Sequence, residues 1–345
     1  MQDLIDLLLS RHSLDRPQAR HAVDALANPD FPQQTKADFL RALREKGETA
    51  AEIAAFAEAL LERAVDPGLS HLTGPMLDVC GTGGDRMGFF NISTTSMFVL
   101  AAGGARVVKH GNRAITSQCG GADVLEALGI QIELGPDQLR ACVEKVGAGF
   151  VFAPRYHPAF RAIAPVRKSL AAEGVSTVFN LLGPLLNPAR PSCQLVGVYS
   201  AALLPLYRDT LAHLGRTRAW ALHGDGTDEL TITGPSDVCE TTPCGPRDFR
   251  IDPRELGIPT ALPSALIGSD KTSNALLLER ILSGTEQGPR EDVVTLNAAA
   301  GFVVTGLAPD LPTGLQLARD QIRSGRALQK LHALRQIAPA HAAAS

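Results

Sequence analysis

The sequence predicts an α/β protein in which a small all-helical N-terminal domain precedes a large α/β domain with a mostly parallel central sheet. Up to residue 70, apolar residues recur at helical spacing behind helix-start signals. From Leu77 onward, short apolar runs typical of buried strands alternate with helical patterns, as they do in α/β domains. We therefore expect domains at 1–70 and 71–345, with a linker at 66–75.

Four helices are predicted in the N-terminal domain. The leucines within 4–8 share one helical face. Proline is favoured in the first turn of a helix, so Pro17 indicates where the second helix begins. Thr35 leads into the third helix. Thr49 and Glu52 have the spacing of a capping box, which predicts the start of the fourth helix.

Composition and charge exclude several functional classes. The chain has 345 residues, of which 45% are hydrophobic and 20% charged, so it can bury a large core. Its net charge of −3 and scattered Lys and Arg residues argue against a nucleic-acid partner. The six cysteines lack paired zinc spacing and indicate reduced thiols. Asp3 and Asp6 interrupt the first apolar run, and no stretch has the length of a membrane span, so we expect a cytoplasmic protein without a membrane partner.

A glycine-rich turn follows the first predicted strand. The apolar residues of 76–79 run into Gly-Thr-Gly-Gly-Asp at 81–85, and Asn-Ile-Ser-Thr at 91–94 opens an Ala-rich helix. Glycines let a backbone approach a ligand closely, and hydroxyl groups at a helix start lie beside unpaired N–H groups and the positive end of the helix dipole. This pattern predicts a phosphate site, although an ordinary strand–turn–helix connection would have the same pattern.

A basic loop follows the next predicted strand. That strand covers 105–108 and leads into Lys-His-Gly-Asn-Arg at 109–113, after which 122–129 is predicted as a helix closed by its glycine. In a parallel sheet both polar loops lie at the carboxyl edge, where ligands bind. A solvated basic turn is the alternative explanation.

An acidic loop follows a third predicted strand, at 218–222. Asp228 and Glu229 are adjacent carboxylates in this loop, and a β-like run at 230–233 comes after them. Carboxylate oxygens are the ligands that Mg²⁺ prefers, because this ion binds oxygen and keeps several waters. A solvated acidic turn is the alternative. A phosphate site and a magnesium site in one chain support each other.

These motifs, taken together, resemble the anthranilate phosphoribosyltransferase family. GTGGD, NIST, KHGNR, ADVLEALG, HPAFRAIAPVR at 157–167, FNLLGPLLNPA at 179–189 and DGTDEL at 225–230 occur in that order and at similar spacing over essentially the whole chain. The later segments Asn274-Ala275 and Leu296-Asn297-Ala298-Ala299 also fit. The resemblance implies a fold of the nucleoside-phosphorylase type, in which helices near 158–190 join the N-terminal domain.

The family also implies a reaction and its partners. A phosphoribosyl group passes from phosphoribosyl pyrophosphate (PRPP) to the amine of anthranilate, in tryptophan biosynthesis. Mg²⁺ is the implied cofactor, at two ions per monomer. The family suggests a homodimer through the small helical domain, which gains stability by burying apolar surface.

Site residues carry over position by position. The residues implied to bind PRPP are Gly81, Gly83, Gly84, Asp85, Phe89, Asn91, Ser93, Thr94, Lys109, Gly111, Asn112, Arg113, Ser117 and Gly121. Those implied to bind anthranilate are Gly81, His110, Asn112 and Arg167, with Arg167 on the carboxylate. The implied metal ligands are Ser93, Asp228 and Glu229, and the implied catalytic residues are Lys109 and His110.

Two loops depart from the family pattern. Phe89 stands where many members have Thr and Arg86 where many have Gly, while Gln-Cys-Gly-Gly at 118–121 replaces a commoner Lys-Ser-Gly-Ser. The implied nucleophile is a neutral aromatic amine, which needs positioning more than deprotonation. His110 therefore either touches anthranilate or shapes its loop.

Two other function classes stay open at this point. A nucleoside phosphorylase of the same fold would not need Mg²⁺, and a non-enzymatic, nucleic-acid-binding relative would need neither metal nor phosphate site. The acid pair and Arg167 favour the transferase over the first. The intact acid pair, the intact KHGNR and the net charge of −3 count against the second.

Overall fold

The computed structural model describes residues 1–85, 87–114 and 118–340. The N-terminal helices are α1 (Gln2–Leu9), α2 (Arg16–Ala27), α3 (Gln33–Lys46) and α4 (Ala50–Leu61). Asp15 caps α2, which has Pro17 in its first turn, and a capping box between Thr49 and Glu52 begins α4. The predicted starts of α2 and α4 are therefore confirmed, whereas α3 begins at Gln33, two residues before the predicted Thr35.

The described part of the second region contains a seven-stranded sheet in the order β3-β2-β1-β4-β5-β6-β7. Its strands are β1 (Met76–Gly81), β2 (Arg106–Gly111), β3 (Ala148–Phe152), β4 (Cys193–Gly197), β5 (Arg218–Gly224), β6 (Ser236–Thr241) and β7 (Arg247–Ile251). The pairs among β1 to β5 are parallel, whereas β6 and β7 are antiparallel additions at one edge. The predicted mostly parallel sheet is therefore confirmed.

Helices cover both faces of this sheet. They are α5 (Ile92–Ala102), α6 (Gly121–Ala127), α7 (Pro136–Val146), α8 (Ala153–Tyr156), α9 (Phe160–Ala172), α10 (Phe179–Leu182), α11 (Leu204–His213), α12 (Lys271–Leu282), α13 (Pro289–Thr305), α14 (Leu311–Arg323) and α15 (Arg326–Ile337). Successive residues of a strand point to opposite faces. Accordingly, Leu195 of β4 lies in an apolar core with α5 and α12 to α15, while Val196 lies in a second core with α1 to α4 and α9 to α11.

The second core joins the N-terminal helices to the sheet. Helix α9 packs against α2 and α3, α10 packs against α4, and α11 packs against both α4 and β5. Across the residues described, the structure contains no helix that is long and apolar enough to cross a membrane.

The structure differs from the predicted elements at two places near the candidate site. Strand β2 extends three residues beyond the predicted end, because Lys109, His110 and Gly111 pair with β3. The predicted β-like run at 230–233 is wrong. The side chain of Asn297 accepts a hydrogen bond from the Leu230 N–H at 3.2 Å and donates one to the Leu230 carbonyl at 2.8 Å, which replaces strand pairing there.

Candidate active site

The three polar loops meet at the carboxyl edge of the sheet. The chain runs from β1 outward through β2 to β3 and then returns to place β4 on the other side of β1, so the strand order reverses there. Ligands bind at such reversal points in open α/β sheets. Strands β1, β2, β4 and β5 all end in glycine, at Gly81, Gly111, Gly197 and Gly224.

Three of these glycines make room for the acidic loop. A Cβ on Gly81 or Gly197 would collide with Asp228, and one on Gly224 would collide with the carbonyl oxygen of Glu229. Because the edge carries no side chains at these points, residues 225–230 fold back onto it. Gly197 and Gly224 were missed by sequence reasoning, although glycine at the end of successive parallel strands was a signal available for them.

Hydrogen bonds join the glycine-rich turn to the acidic loop. The Gly83 N–H donates to Asp228 Oδ2 at 2.7 Å, across 145 residues of sequence. The Thr227 hydroxyl donates to Asp85 Oδ2 at 2.7 Å. The structure thus brings together two motifs that were predicted separately, and Asn297 fixes the far end of the acidic loop through Leu230.

The backbone of the glycine-rich turn leaves its outer side open. Gly83 and Gly84 have φ of +67° and +86°, which side-chain-bearing residues rarely adopt, and nothing lies within 4 Å of a Cβ at either position. The turn is exposed, so a phosphate group can approach its backbone closely.

The acidic loop crowds carboxyl groups together in a buried place. Burial first, and the neighbouring Asp228 second, raise the pKa of Glu229 to about 8. Burial and the nearby Asp85 likewise raise the pKa of Asp228. Bound positive charge would relieve this cost, because carboxylates crowded together in a poorly solvated place resist ionisation.

The oxygen donors at this loop fit Mg²⁺. Within the described chain, no three or more His, Cys, Asp or Glu side chains form a metal-binding group by themselves. Mg²⁺ is commonly held by one or two carboxylates together with waters and substrate phosphates, so a complete protein cage is not required. The pair Asp228 and Glu229 matches that pattern.

Lys109 connects the basic strand to the acidic loop. Its side chain is buried, and Nζ donates to the carbonyl of Val79 and to Ser93 Oγ, the latter at 3.1 Å. The Ser93 backbone in turn faces the Glu229 carboxylate and lowers its pKa, against the larger effect of burial. Ser93 lies in the first turn of α5, where the helix dipole favours anions. An ammonium group, a helix start and the acid pair are therefore in contact.

Thr94 and Gly121 lie beside this cluster. A Cβ on Gly121 would stand 3.0 Å from Thr94 Oγ1 and 3.7 Å from Lys109 Cε. Thr94 is buried and Gly121 begins α6, so the helices after β1 and β2 approach each other here.

His110 occupies a buried position next to the Lys109 cluster. Its Nδ1 lies 3.2 Å from the carbonyl oxygen of Gly183, while its Nε2 is buried and has no partner among the residues described. Burial lowers the pKa of this imidazole to about 3, so the ring is neutral at physiological pH. Asp78 on β1 accepts the His110 backbone N–H at 3.1 Å. A neutral ring with a free acceptor nitrogen can receive a hydrogen bond but cannot act as an acid.

A row of rings leads from His110 to Arg167. His110 stands edge-on to His157 at 5.2 Å between centroids, His157 stands edge-on to Phe160 at 5.8 Å, and Phe160 stands edge-on to Phe179 at 5.7 Å. The Arg167 guanidinium lies 5.4 Å from the Phe179 centroid. Of the row, only His110 had been singled out from the sequence.

Arg167 is a partly buried cation without a paired carboxylate in the described parts of the chain. Burial lowers the pKa of its guanidinium. A cation held against aromatic rings and lacking such a partner can receive a planar carboxylate, because its fork of N–H groups can bind both oxygens.

The remaining predicted residues are less clearly placed at the site. Arg113 pairs with Glu126 at 2.8 Å and with Glu133 at 3.3 Å, and Asn112 is exposed. Phe89 forms an antiparallel backbone bridge with Ile267. Ser117 and Arg86 lie outside the described residues. The roles carried over from the family stay predictions for all of these residues.

Comparison with models of known protein families shows to which class of enzyme the chain belongs. The family model described as "Glycosyl transferase family, helical bundle domain" matches residues 2–64, and the one described as "Glycosyl transferase family, a/b domain" matches residues 73–328. The chain is thus a glycosyl transferase of the type that combines a helical bundle with an α/β domain.

Individual relatives narrow this class. An anthranilate phosphoribosyltransferase of Chloroflexus aggregans is 45% identical over 334 residues, covering 96% of this chain and 96% of the relative. The crystal structure of the Thermus thermophilus anthranilate phosphoribosyltransferase matches with a TM-score of 0.89 at 40% identity, over 97% of this chain and 99% of that one. The Saccharomyces cerevisiae enzyme, in complex with PRPP and Mg, matches with a TM-score of 0.81 at 28% identity, over 97% and 92% of the two chains.

The chain belongs to the anthranilate phosphoribosyltransferase family. The family, the fold class and the transferase class predicted from the sequence are confirmed.

Proposed function

We propose that the carboxyl edge of the sheet is the active site of a transferase that moves the phosphoribosyl group of PRPP to the amine of anthranilate, in tryptophan biosynthesis. The single observation that carries this proposal is the contact between two motifs. The Gly83 N–H in the glycine-rich turn donates to Asp228 Oδ2 in the acidic loop at 2.7 Å. A nucleoside phosphorylase would not need that acid pair beside its phosphate turn.

PRPP is held by the glycine-rich turn, the start of α5 and Lys109. The backbone N–H groups of Gly84 and Asp85 and the hydroxyl groups of Ser93 and Thr94 bind phosphate oxygens, aided by the helix dipole. Lys109 supplies a positive charge fixed by its contacts to Val79 and Ser93. Such fixed charge stabilises the pyrophosphate as it leaves C1 of the ribose, because it needs no reorganisation during the reaction.

Asp228, Glu229 and Ser93 hold Mg²⁺, at two ions per monomer. When bound there, Mg²⁺ would supply positive charge that neutralises the departing pyrophosphate. Two contacts hold the carboxylate ligands in place: Asn297 fixes the acidic loop through Leu230, and the Gly83 N–H fixes the Asp228 carboxylate.

Anthranilate binds between His110 and Arg167. Arg167 takes the carboxylate, and the unpartnered Nε2 of neutral His110 accepts a hydrogen bond from the amine. This contact positions the nitrogen without removing a proton beforehand, as a neutral aromatic amine requires. Lys109 and His110 are therefore the catalytic residues, the first by electrostatics and the second by positioning the nucleophile.

Two further parts of the proposal concern the state of the protein. We propose a homodimer formed through the helical N-terminal region, in which Leu9 at the end of α1 is 58% exposed. The cytoplasm stays the predicted location. Light scattering at micromolar concentration tests the dimer, and a monomer there would refute it.

The reaction itself is tested by following anthranilate fluorescence. We expect the signal to fall only when PRPP and Mg²⁺ are both present, and to stop falling when EDTA is added. Metal-independent cleavage of a nucleoside by phosphate, without consumption of anthranilate, would instead identify a nucleoside phosphorylase.

A further inference from the structure

Asn274 is a buried polar residue that has no role in the proposed function. It lies in the first turns of α12 and is 5% exposed. Three segments from distant parts of the chain meet at its side chain: residues 88–91, which lead from the glycine-rich turn to α5; residues 119–121, which lead to α6; and residues 266–269, which we call the strap.

The strap holds the segment that leads from the glycine-rich turn into α5. The Phe90 N–H donates to the Leu266 carbonyl at 3.0 Å, and the Gly268 N–H donates to the Gly88 carbonyl at 2.8 Å. The two segments pack without room for a side chain, since a Cβ on Gly268 would stand 2.9 Å from Phe90 Cα. Residues 88–90 are thus fixed by backbone hydrogen bonds and close packing with the strap.

Asn274 continues this pairing toward the site. Its Oδ1 accepts the Ser269 N–H at 2.8 Å, and its Nδ2 donates to Asn91 Oδ1 at 3.2 Å. The Nδ2 of Asn91 then donates to the Cys119 carbonyl at 3.0 Å. A continuous chain of amide hydrogen bonds therefore runs from the strap to the 119–121 segment and sets the orientation of the Asn91 side chain.

Helix capping does not account for Asn274. The N-terminus of α12 is already capped by Asp270, which accepts the N–H groups of Thr272 at 2.9 Å and Ser273 at 3.0 Å. The donor atom of Asn274 is directed away from its own helix, toward Asn91.

We propose that Asn274 is a positioning residue for the PRPP site, which acts through Asn91 to fix the 88–91 and 119–121 segments relative to each other. This inference rests on the proposed function and on the family resemblance, which implies that Asn91 and Gly121 bind PRPP. Asn274 itself does not touch the substrate. Its loss lets the Asn91 amide turn and the two segments move apart, so PRPP binds more weakly while the anthranilate side of the site is unchanged.

A double-mutant cycle tests the proposal. Asn91→Ala, Asn274→Ala, the double variant and Leu278→Ala are compared for the KM of PRPP, the KM of anthranilate and Tm. Leu278 is a buried apolar residue one turn further along α12, so its variant destabilises the same helix while the hydrogen-bonding groups of Asn274 are kept. We expect Asn274→Ala to raise the KM of PRPP about three- to tenfold, as loss of one buried hydrogen bond implies. The KM of anthranilate should stay within about twofold, and Leu278→Ala should lower Tm alone.

The cycle also shows through which residue Asn274 acts. If it acts through Asn91, the double variant is no worse than Asn91→Ala, because the interaction is already gone. Effects that multiply in the double variant, or an Asn274→Ala effect no larger than that of Leu278→Ala, would overturn the proposal. A wild-type protein that binds no PRPP would instead overturn the proposed function.

A second variant guards against failure to fold. Asn274→Asp keeps an acceptor for the Ser269 N–H but has no donor for Asn91. It should raise the KM of PRPP in the wild-type background and cause no further rise in the Asn91→Ala background. A further rise there would reveal charge repulsion of the substrate, and an unchanged KM in the wild-type background would show that the donor is irrelevant; either result contradicts the inference.

Discussion

The two halves of the site are built in different ways. The half that we propose binds PRPP, around Gly83, Ser93 and Asp228, is polar and is held together by hydrogen bonds between loops at one edge of the sheet. The half that we propose binds anthranilate, from His110 to Arg167, is a row of rings between the sheet and the helices of the second core. The first half depends on backbone conformation and charge, whereas the second depends on packing. Changes in one half should therefore leave binding in the other half intact.

The largest effect is expected from removing the acid pair. Asp228→Asn with Glu229→Gln removes both negative charges while keeping side-chain size, so turnover should fall by roughly a thousandfold, or about 4 kcal/mol of transition-state stabilisation. Steady-state kinetics at saturating Mg²⁺ measures this loss, and circular dichroism checks the fold. Full turnover in the variant would show that Asp228 and Glu229 do not hold a metal ion that the reaction needs.

Arg167 offers the corresponding change in the anthranilate half. Arg167→Ala should raise the KM of anthranilate about ten- to a hundredfold, since a hydrogen bond to a charged group contributes about 1.5–3 kcal/mol. The KM of PRPP should change little. The exposed Arg161 on the same helix provides a matched control, whose alanine variant should behave as wild type. A shift in the KM of PRPP alone would mean that Arg167 binds phosphate instead.

Gly84 tests the steric part of the PRPP half. Its φ of +86° makes alanine cost about 1–2 kcal/mol of stability, and the same cost applies to Gly174, whose φ is +75° with open space around it. Gly84→Ala and Gly174→Ala should therefore lower Tm alike. Only Gly84→Ala should also weaken PRPP binding, by about tenfold, because its Cβ occupies space meant for the ligand. Equal PRPP affinity in both variants would reduce the glycine-rich turn to a simple connection.

The last effect concerns pH and the stability of the ligand-free protein, and it leaves catalysis aside. The folded pKa of Glu229 is about 8, above the ordinary value of 4.5. Between these values the folded state holds a proton that the unfolded chain has released, so this group's contribution to stability is lost as pH rises toward 8. Glu229→Gln should be more stable than wild type at pH 8, by on the order of 1–3 kcal/mol, and similar to it at pH 5.

Denaturant unfolding at the two pH values measures that difference. Saturating Mg²⁺ and PRPP should stabilise the wild type at pH 8 more than the variant, since bound cation stabilises the ionised carboxylate. A wild type that gains stability from pH 5 to pH 8 relative to Glu229→Gln would contradict the raised pKa.

More of the PRPP half than of the anthranilate half could be predicted from the sequence. A strand, a glycine-rich turn and a hydroxyl-bearing helix start are local signals, so residues 81–85, Ser93 and Lys109 could be found one motif at a time. Parallel strands then bring such loops to one edge without further information. The fold class followed from the same alternation of strand and helix patterns.

The parts that were missed depend on contacts between distant segments. The edge-on contact between His157 and the His110 ring joins the turn between α8 and α9 to strand β2, and no local pattern encodes such a contact. The predicted strand at 230–233 was wrong because Asn297, on a helix much later in the chain, takes the backbone groups of Leu230. Likewise, the pairing of Arg113 with Glu133 could not be inferred from their spacing.

The central claim, that two independently built halves bind PRPP and anthranilate at one sheet edge, is tested most directly by crossed binding measurements. Calorimetric titration of PRPP with Mg²⁺, and of anthranilate, is carried out on the Asp228→Asn, Glu229→Gln double variant and on Arg167→Ala. We predict that the first variant loses affinity for PRPP alone and the second for anthranilate alone. Loss of both ligands to the same extent in both variants would contradict the account.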